Sequence, residues 1–207
     1  MEIQITQDLV QKKSITPNDA GCLQYIEDFL TQRGFINETL TFGRVKNLWS
    51  VKRNNGPLLV FLGHVDVVPT GPENEWEHDP FSGHDDGTFI NGRGTGDNKA
   101  GVVVHYNEVK KLLEDLPVNI RIFIEGEEEI GSPTMSDFIE QNREALEADV
   151  IVIADSANVK IGVPTVTTTL RGLVDGFIEV DQPMRPVHSG MGGGIVPSVS
   201  YTHLTLP

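Results

Sequence analysis

The stretch VFLGHVDVVP, residues 60–69, decides how the rest of the chain is read. Val60, Phe61 and Leu62 make an apolar, strand-forming run, yet it carries His64 and, two residues on, Asp66. A buried strand tolerates two ionisable side chains only where something satisfies them. Either the two are hydrogen-bonded within the core, or they stand at a strand end to do chemistry.

The other apolar runs end alike. IRIFIE, residues 120–125, leads into Glu127, Glu128 and Glu129, and VIVIA, residues 150–154, leads into Asp155. The segments ETLTFG, NLWSVKR and PLLVFLG have strand character. SITPNDAGCLQYIEDFLTQRG, residues 14–34, carries the start and stop signals of a helix, with Pro17 near the first turn and Gly34 at the end. Helical patterns are also expected from about Asp97 to Leu116 and over SPTMSDFIEQNREAL. Strands alternating with helices, the strands nearly continuous in apolar residues, predict an α/β sheet covered on both faces. Residues 69–96, rich in Gly, Pro, Asn and Asp, predict a long loop with a short strand at TFING. After about Leu170 a longer, alternating strand marks the start of a second domain.

The 207 residues carry a net charge of −14, which argues against nucleic acid or an anionic membrane as partner. The single cysteine, Cys22, excludes an intrachain disulfide and reads as a small core residue. No apolar run is long enough for a bilayer and the N-terminus lacks a signal-peptide core, so a cytoplasmic location is expected.

In open α/β sheets ligands gather at the carboxyl ends of the strands, where these acids fall. Several carboxylates at one edge resist ionising together unless a cation balances them. One histidine among carboxylates suits a first-row metal, zinc above all. Singly, each residue has a plainer role: Asp97 as a helix N-cap, Glu127 to Glu129 as a solvated turn, Asp155 as a turn cap, His64 as a core histidine. Their joint occurrence at successive strand ends favours a site. A dinucleotide loop fails in GRGTGDNKAG because the third glycine position is Asp97, and no Walker spacing follows.

GHVDVVP, NGRGTGDNKAG, EGEEEIGSP, VIADS and HSGMGGGIVP occur in this order. Together they resemble the co-catalytic zinc amidohydrolases and peptidases, among them succinyl-diaminopimelate desuccinylase, acetylornithine deacetylase, glutamate carboxypeptidase and the cytosolic dipeptidases. The resemblance implies a zinc-peptidase-type catalytic domain with a mixed, largely parallel sheet over residues 1–169. The start of an α+β lid and dimerisation domain would follow at 170–198. It implies two Zn²⁺ ions, with Co²⁺ or Mn²⁺ as alternatives. His64 and Asp155 would bind the first ion, Glu129 the second, and Asp97 would bridge them. Asp66, on the same strand face as His64, would hold its ring. Glu128 would be the general base, and His188 would reach the reacting group from the lid, across the subunit interface in dimeric members.

The implied reaction is hydrolysis of an amide bond in a dipeptide or an N-acyl amino acid, by a protein that can be a homodimer through its lid. Asp155 and EGEEEIGSP lean towards the dipeptidases, SITPNDAGC and NLW towards the desuccinylases. Ala100 stands where the family usually has glycine, and Gly101 follows. Family members are about twice this length, so the second zinc's histidine is expected beyond Ser198. Residues 199–207, VSYTHLTLP, do not resemble the family. Back-translated, they resemble one reading frame of a transposase-type sequencing adapter, so His203 is not counted as that ligand. The rival reading is a non-catalytic metal-binding or scaffold protein, the fragment itself being inactive.

Overall fold

The structure, a computed structural model, describes residues 2–115, 117–174 and 176. The chain divides into two units, Met1–Thr165 and Val166–Pro207, and every element named below belongs to the first. His188, most of the expected lid strand and residues 199–207 lie outside the described residues.

Five strands form the main sheet: β1 (Ile36–Phe42), β2 (Val45–Lys52), β3 (Leu58–His64), β6 (Asn119–Glu125) and β7 (Val150–Ile153), in the order β1-β2-β6-β3-β7. The mixed sheet expected from the sequence is present. β3 is parallel to both β6 and β7, whereas β2 is antiparallel to β1 and to β6. Side chains alternate across a sheet, so the register sorts the apolar residues into two faces. Phe61 lies beside Ile122, and both join Leu48, Ile120 and Ile124 in the main core. Phe123 faces the other way, stacking on Phe138 with ring centroids 4.3 Å apart while Trp49 stands edge-on to Phe138.

Helices cover each face. On the main-core face lie α1 (Glu2–Val10), α2 (Cys22–Thr31) and α3 (Ala100–Asp115), which contribute Ile5, Leu9, Leu23, Ile26, Leu30, Val102, Val103 and Val109. The buried residues of α2 fall at 22, 23, 26 and 30, a helical stripe, and Cys22 is the core residue expected. On the other face α4 (Met135–Gln141) brings Phe138, and α5 (Arg143–Leu146) follows. No helix among the described residues is long and apolar enough to cross a membrane.

Three local expectations need correction. Residues 14–21 are not helical: the Asn18 and Asp19 side chains accept the backbone N–H groups of Ala20 and Gly21, closing a turn before α2. The single helix expected over 132–146 is broken at Asn142, whose side chain donates to the Phe138 carbonyl. β7 is an edge strand with Val150, Ile151 and Ile153 at least half exposed, where a buried strand was expected. The long loop does contain the short strand: β5 (Ile90–Asn91) pairs with β4 (His84–Asp85). Gln7 of α1 donates to the Gly83 carbonyl and fastens that loop to the domain.

Candidate metal centre

His64 ends β3 opposite Glu125 of β6, and its side chain is buried. Its Nδ1 lies 3.0 Å from the Asp66 carbonyl oxygen, which can only accept, so Nδ1 carries the hydrogen. That leaves Nε2 facing three carboxylates: Asp97 Oδ1 at 2.9 Å, Asp155 Oδ2 at 3.6 Å and Glu128 Oε2 at 3.9 Å. His64, Asp97 and Asp155 each offer a ligand atom within 4.8 Å of the others. Donors about 2.0–2.2 Å from one zinc ion at near-tetrahedral angles stand roughly 3.4 Å apart. The spacing and the donor set, one imidazole nitrogen and two carboxylate oxygens, therefore fit a metal ion.

Asp97 arrives on a turn, Thr95–Lys99, that leads into α3. Within it Asp97 and Asn98 leave helical geometry, and their shared peptide is cis. The three successive side chains then diverge. Asp97 turns to His64. Asn98 is fully buried and donates through Nδ2 to Asp155 Oδ1 at 2.7 Å and to the Ala154 carbonyl at 2.8 Å. Lys99, also fully buried, donates to the carbonyls of Leu9 and Lys12 at 2.8 and 2.9 Å, where α1 ends. Gly101 explains the displaced glycine of the sequence, since a Cβ there would overlap the Ala154 carbonyl and crowd Asn98.

The acidic segment after β6 is held differently. The fully buried Asp66 carboxylate accepts the backbone N–H groups of Glu128 and Glu129, each at 3.2 Å. The His64 ring is met by the Asp66 carbonyl, with the Asp66 carboxylate 3.4 Å from Nδ1. Glu127 points away from the cluster, and its carboxylate accepts the amide and the hydroxyl of Thr134 just before α4. Glu128 faces His64, whereas Glu129 lies outside the three-residue group, close enough to Asp97 to feel its charge.

The electrostatics favour a cation. Burial would pull the His64 imidazole down, but the hydrogen bond and charge of Asp66, joined by Asp155, raise it to about 9. Burial pushes Glu128 and Glu129 up, and Asp97 adds to both shifts. Among the described residues no lysine or arginine forms an ion pair with Asp97, Glu128, Glu129 or Asp155. The positive charge the cluster calls for must come from a proton or a metal.

Sequence reasoning missed Asn98, Lys99 and Glu125. Glu125 is buried at the last position of β6, and burial beside Asp66 and Glu128 raises it to about 7. For Asn98 and Lys99 the signal lay in GDNKAG, two polar residues between a carboxylate and the apolar face of a helix.

The chain is 47% identical over 116 residues to succinyl-diaminopimelate desuccinylase of Hydrogenovibrio crunogenus, a match covering 56% of the chain and 31% of that protein. It is 35% identical over 216 residues to the desuccinylase of Ralstonia nicotianae, covering 97% of the chain and 52% of that protein. The chain thus spans about half the length, or less, of these curated relatives. A metallo-carboxypeptidase, Sso-CP2 of Sulfolobus solfataricus, superposes with a TM-score of 0.66 at 29% identity, over 75% of this chain and 37% of that one. Human carnosine dipeptidase 1 shares the fold with a TM-score of 0.70 at 24% identity, over 94% of this chain and 46% of that one. Residues 60–202, which include all three residues of the His–Asp–Asp cluster, match the sequence profile of peptidase family M20/M25/M40, and the chain belongs to that family.

Proposed function

We propose that this chain is the N-terminal part of a metal-dependent hydrolase that cleaves an amide bond in a dipeptide or an N-acyl amino acid. The observation that carries the reading is the convergence of His64 Nε2, Asp97 and Asp155 at the carboxyl end of a parallel strand pair. His64, Asp97 and Asp155 would hold one ion, Zn²⁺ by donor type, with Co²⁺ or Mn²⁺ as substitutes. Asp97 and Glu129 would take part in holding a second. When bound, such an ion would supply Lewis acidity, to acidify a water molecule and polarise the scissile carbonyl.

The protein's own groups supply the rest. Glu128 takes the attacking water's proton and delivers it to the leaving amine. Its carboxyl, already raised by burial and by Asp155 and Asp97, suits both halves of that task. Asp66 fixes the His64 ring through its carbonyl and the Glu128 backbone through its carboxylate. His188 is proposed to contact the reacting group from the lid, in a protein that works in the cytoplasm and pairs with a second copy. The desuccinylase names of the matched relatives favour an N-acyl substrate over a dipeptide.

Hydrolysis of N-succinyl amino acids and of dipeptides, followed with added zinc and with chelator, tests the reading. Turnover restored by zinc and abolished by His64→Ala or Asp97→Ala is expected. Unchanged zinc content and turnover in both variants would overturn the roles given to His64 and Asp97, and zinc binding with no turnover on either substrate class would leave a non-catalytic scaffold as the better description.

A further inference from the structure

We infer that Asn98 is a positioning residue that makes Asp155 a one-oxygen ligand, by occupying Oδ1 and leaving only Oδ2 for the ion. The inference rests on the metal reading of His64, Asp97 and Asp155 and deepens it. Asp155 Oδ1 accepts the Asn98 amide at 2.7 Å, while Oδ2 lies 3.6 Å from His64 Nε2. The two oxygens of one carboxylate are thus assigned different partners before any ion arrives. Asn98 cannot release Oδ1 cheaply, because it is fully buried and its Nδ2 also donates to the Ala154 carbonyl, the residue before Asp155.

The packing around Asn98 shows a fitted side chain. A Cβ on Gly63 would come within 3.2 Å of Asn98 Oδ1. One on Gly101 would come within 2.9 and 3.0 Å of its two amide heavy atoms. β3 and α3 therefore each leave a side chain's worth of room for this amide. Asn98 also follows Asp97 directly, so one turn presents a ligand to the ion and orients a second ligand fifty-eight residues away. Partners of this kind fix the direction and lone pair a ligand uses, and their removal typically costs about 10–100-fold in metal affinity.

The test is a titration of the whole chain with Co²⁺, reading both the dissociation constant and the intensity of the visible d–d absorption. Asn98→Leu keeps the side chain's size and removes its donor. It is expected to weaken Co²⁺ binding about 10–100-fold and to lower the d–d intensity as the freed oxygen raises the coordination number. In an Asp155→Ala background the same substitution should change neither quantity, because Asn98 then has no carboxylate to orient. A merely structural role would show the same loss in both backgrounds, and that result overturns the inference. Wild-type affinity and spectrum in the Leu variant overturn it too. Should Asn98→Leu fail to unfold cooperatively, Asn98→Ser, which keeps a shorter donor, is read by the same cycle and is expected to lose less. Absence of Co²⁺ binding in the wild type, or full binding in His64→Ala, would instead overturn the metal reading, and this inference with it.

Discussion

Of the three segments that bring carboxylates to His64, two are anchored in opposite ways. The turn at 97–99 is tied down by a buried cation: Lys99 collects the carbonyls of Leu9 and Lys12. The turn at 127–129 is tied down by a buried anion: Asp66 collects the amides of Glu128 and Glu129. Neither anchor is among the three clustered ligands, and both are fully buried. In each case a charge with several backbone partners places an acidic residue that would otherwise be repelled by its neighbours. The difference lies in what is grasped. Lys99 grasps the end of a separate helix, where a cation also meets the negative end of the helix dipole, whereas Asp66 grasps the acidic segment itself.

Removing the anion should therefore do more damage than removing the cation. Asp66→Ala leaves two amides without their acceptor and strips His64 of its neighbouring charge, and a loss of about 3–5 kcal/mol in urea unfolding is expected. Metal binding should go with it. Lys99→Met orphans two carbonyls and removes a costly buried charge at the same time, so about 2–4 kcal/mol is expected, at 1–3 for each unpaired group. Its signature is faster amide hydrogen exchange in α1, while Asp66→Ala speeds exchange at Glu128 and Glu129. If both variants loosen the same segment, the two anchors are one cooperative unit and the contrast fails.

His105 sharpens the contrast, being a buried ionisable group that organises nothing. It sits on α3 against Phe61, ring centroids 5.2 Å apart, and neither ring nitrogen has a hydrogen-bond partner among the described residues. Burial lowers it to about 4. The unfolded chain then binds a proton near pH 6.5 that the folded chain refuses until about pH 4. Stability is full above 6.5 and falls as the pH drops through that window, by up to about 3 kcal/mol at 1.36 per pH unit. His105→Leu should abolish this portion of the pH dependence and leave the site's metal affinity unchanged. A pH profile identical to wild type would mean that His105 finds a partner in solution.

The frame of the site was legible in the sequence because its signals are local. Apolar runs that lead into His64, into Glu127 to Glu129 and into Asp155 mark strand ends, and a parallel sheet brings such ends together. The anchors were less legible because their meaning is relational. Lys99 reads as an ordinary helix-start lysine until α1 is seen to end against it, and α1 itself went unread although Ile5 and Leu9 are four residues apart. β7 carries the apolar sequence of a covered strand, yet among the described residues it stands at the sheet edge with most of its side chains exposed. The helix start misled in another way, since the signal at Pro17 precedes a turn closed by Asn18 and Asp19 and not the helix itself.

The smallest expected effect concerns the glycine that lets the first anchored segment approach β7. Gly101 lies in α3, where glycine to alanine ordinarily gains about 1 kcal/mol. Here the new Cβ would overlap the Ala154 carbonyl, a backbone atom that cannot swing aside, and press on both amide atoms of Asn98. The sign should reverse, to a loss of about 1–3 kcal/mol, as for other overpacked sites. Because the displaced atoms belong to the group that orients Asp155, metal affinity should fall as well, which simple overpacking elsewhere in α3 would not cause. Gly96, in the same turn, has open space around its missing side chain, so Gly96→Ala supplies the control and should cost little. Equal stability of the two alanine variants would show that α3 can shift away from β7, and that the 97–99 turn is held by Lys99 alone.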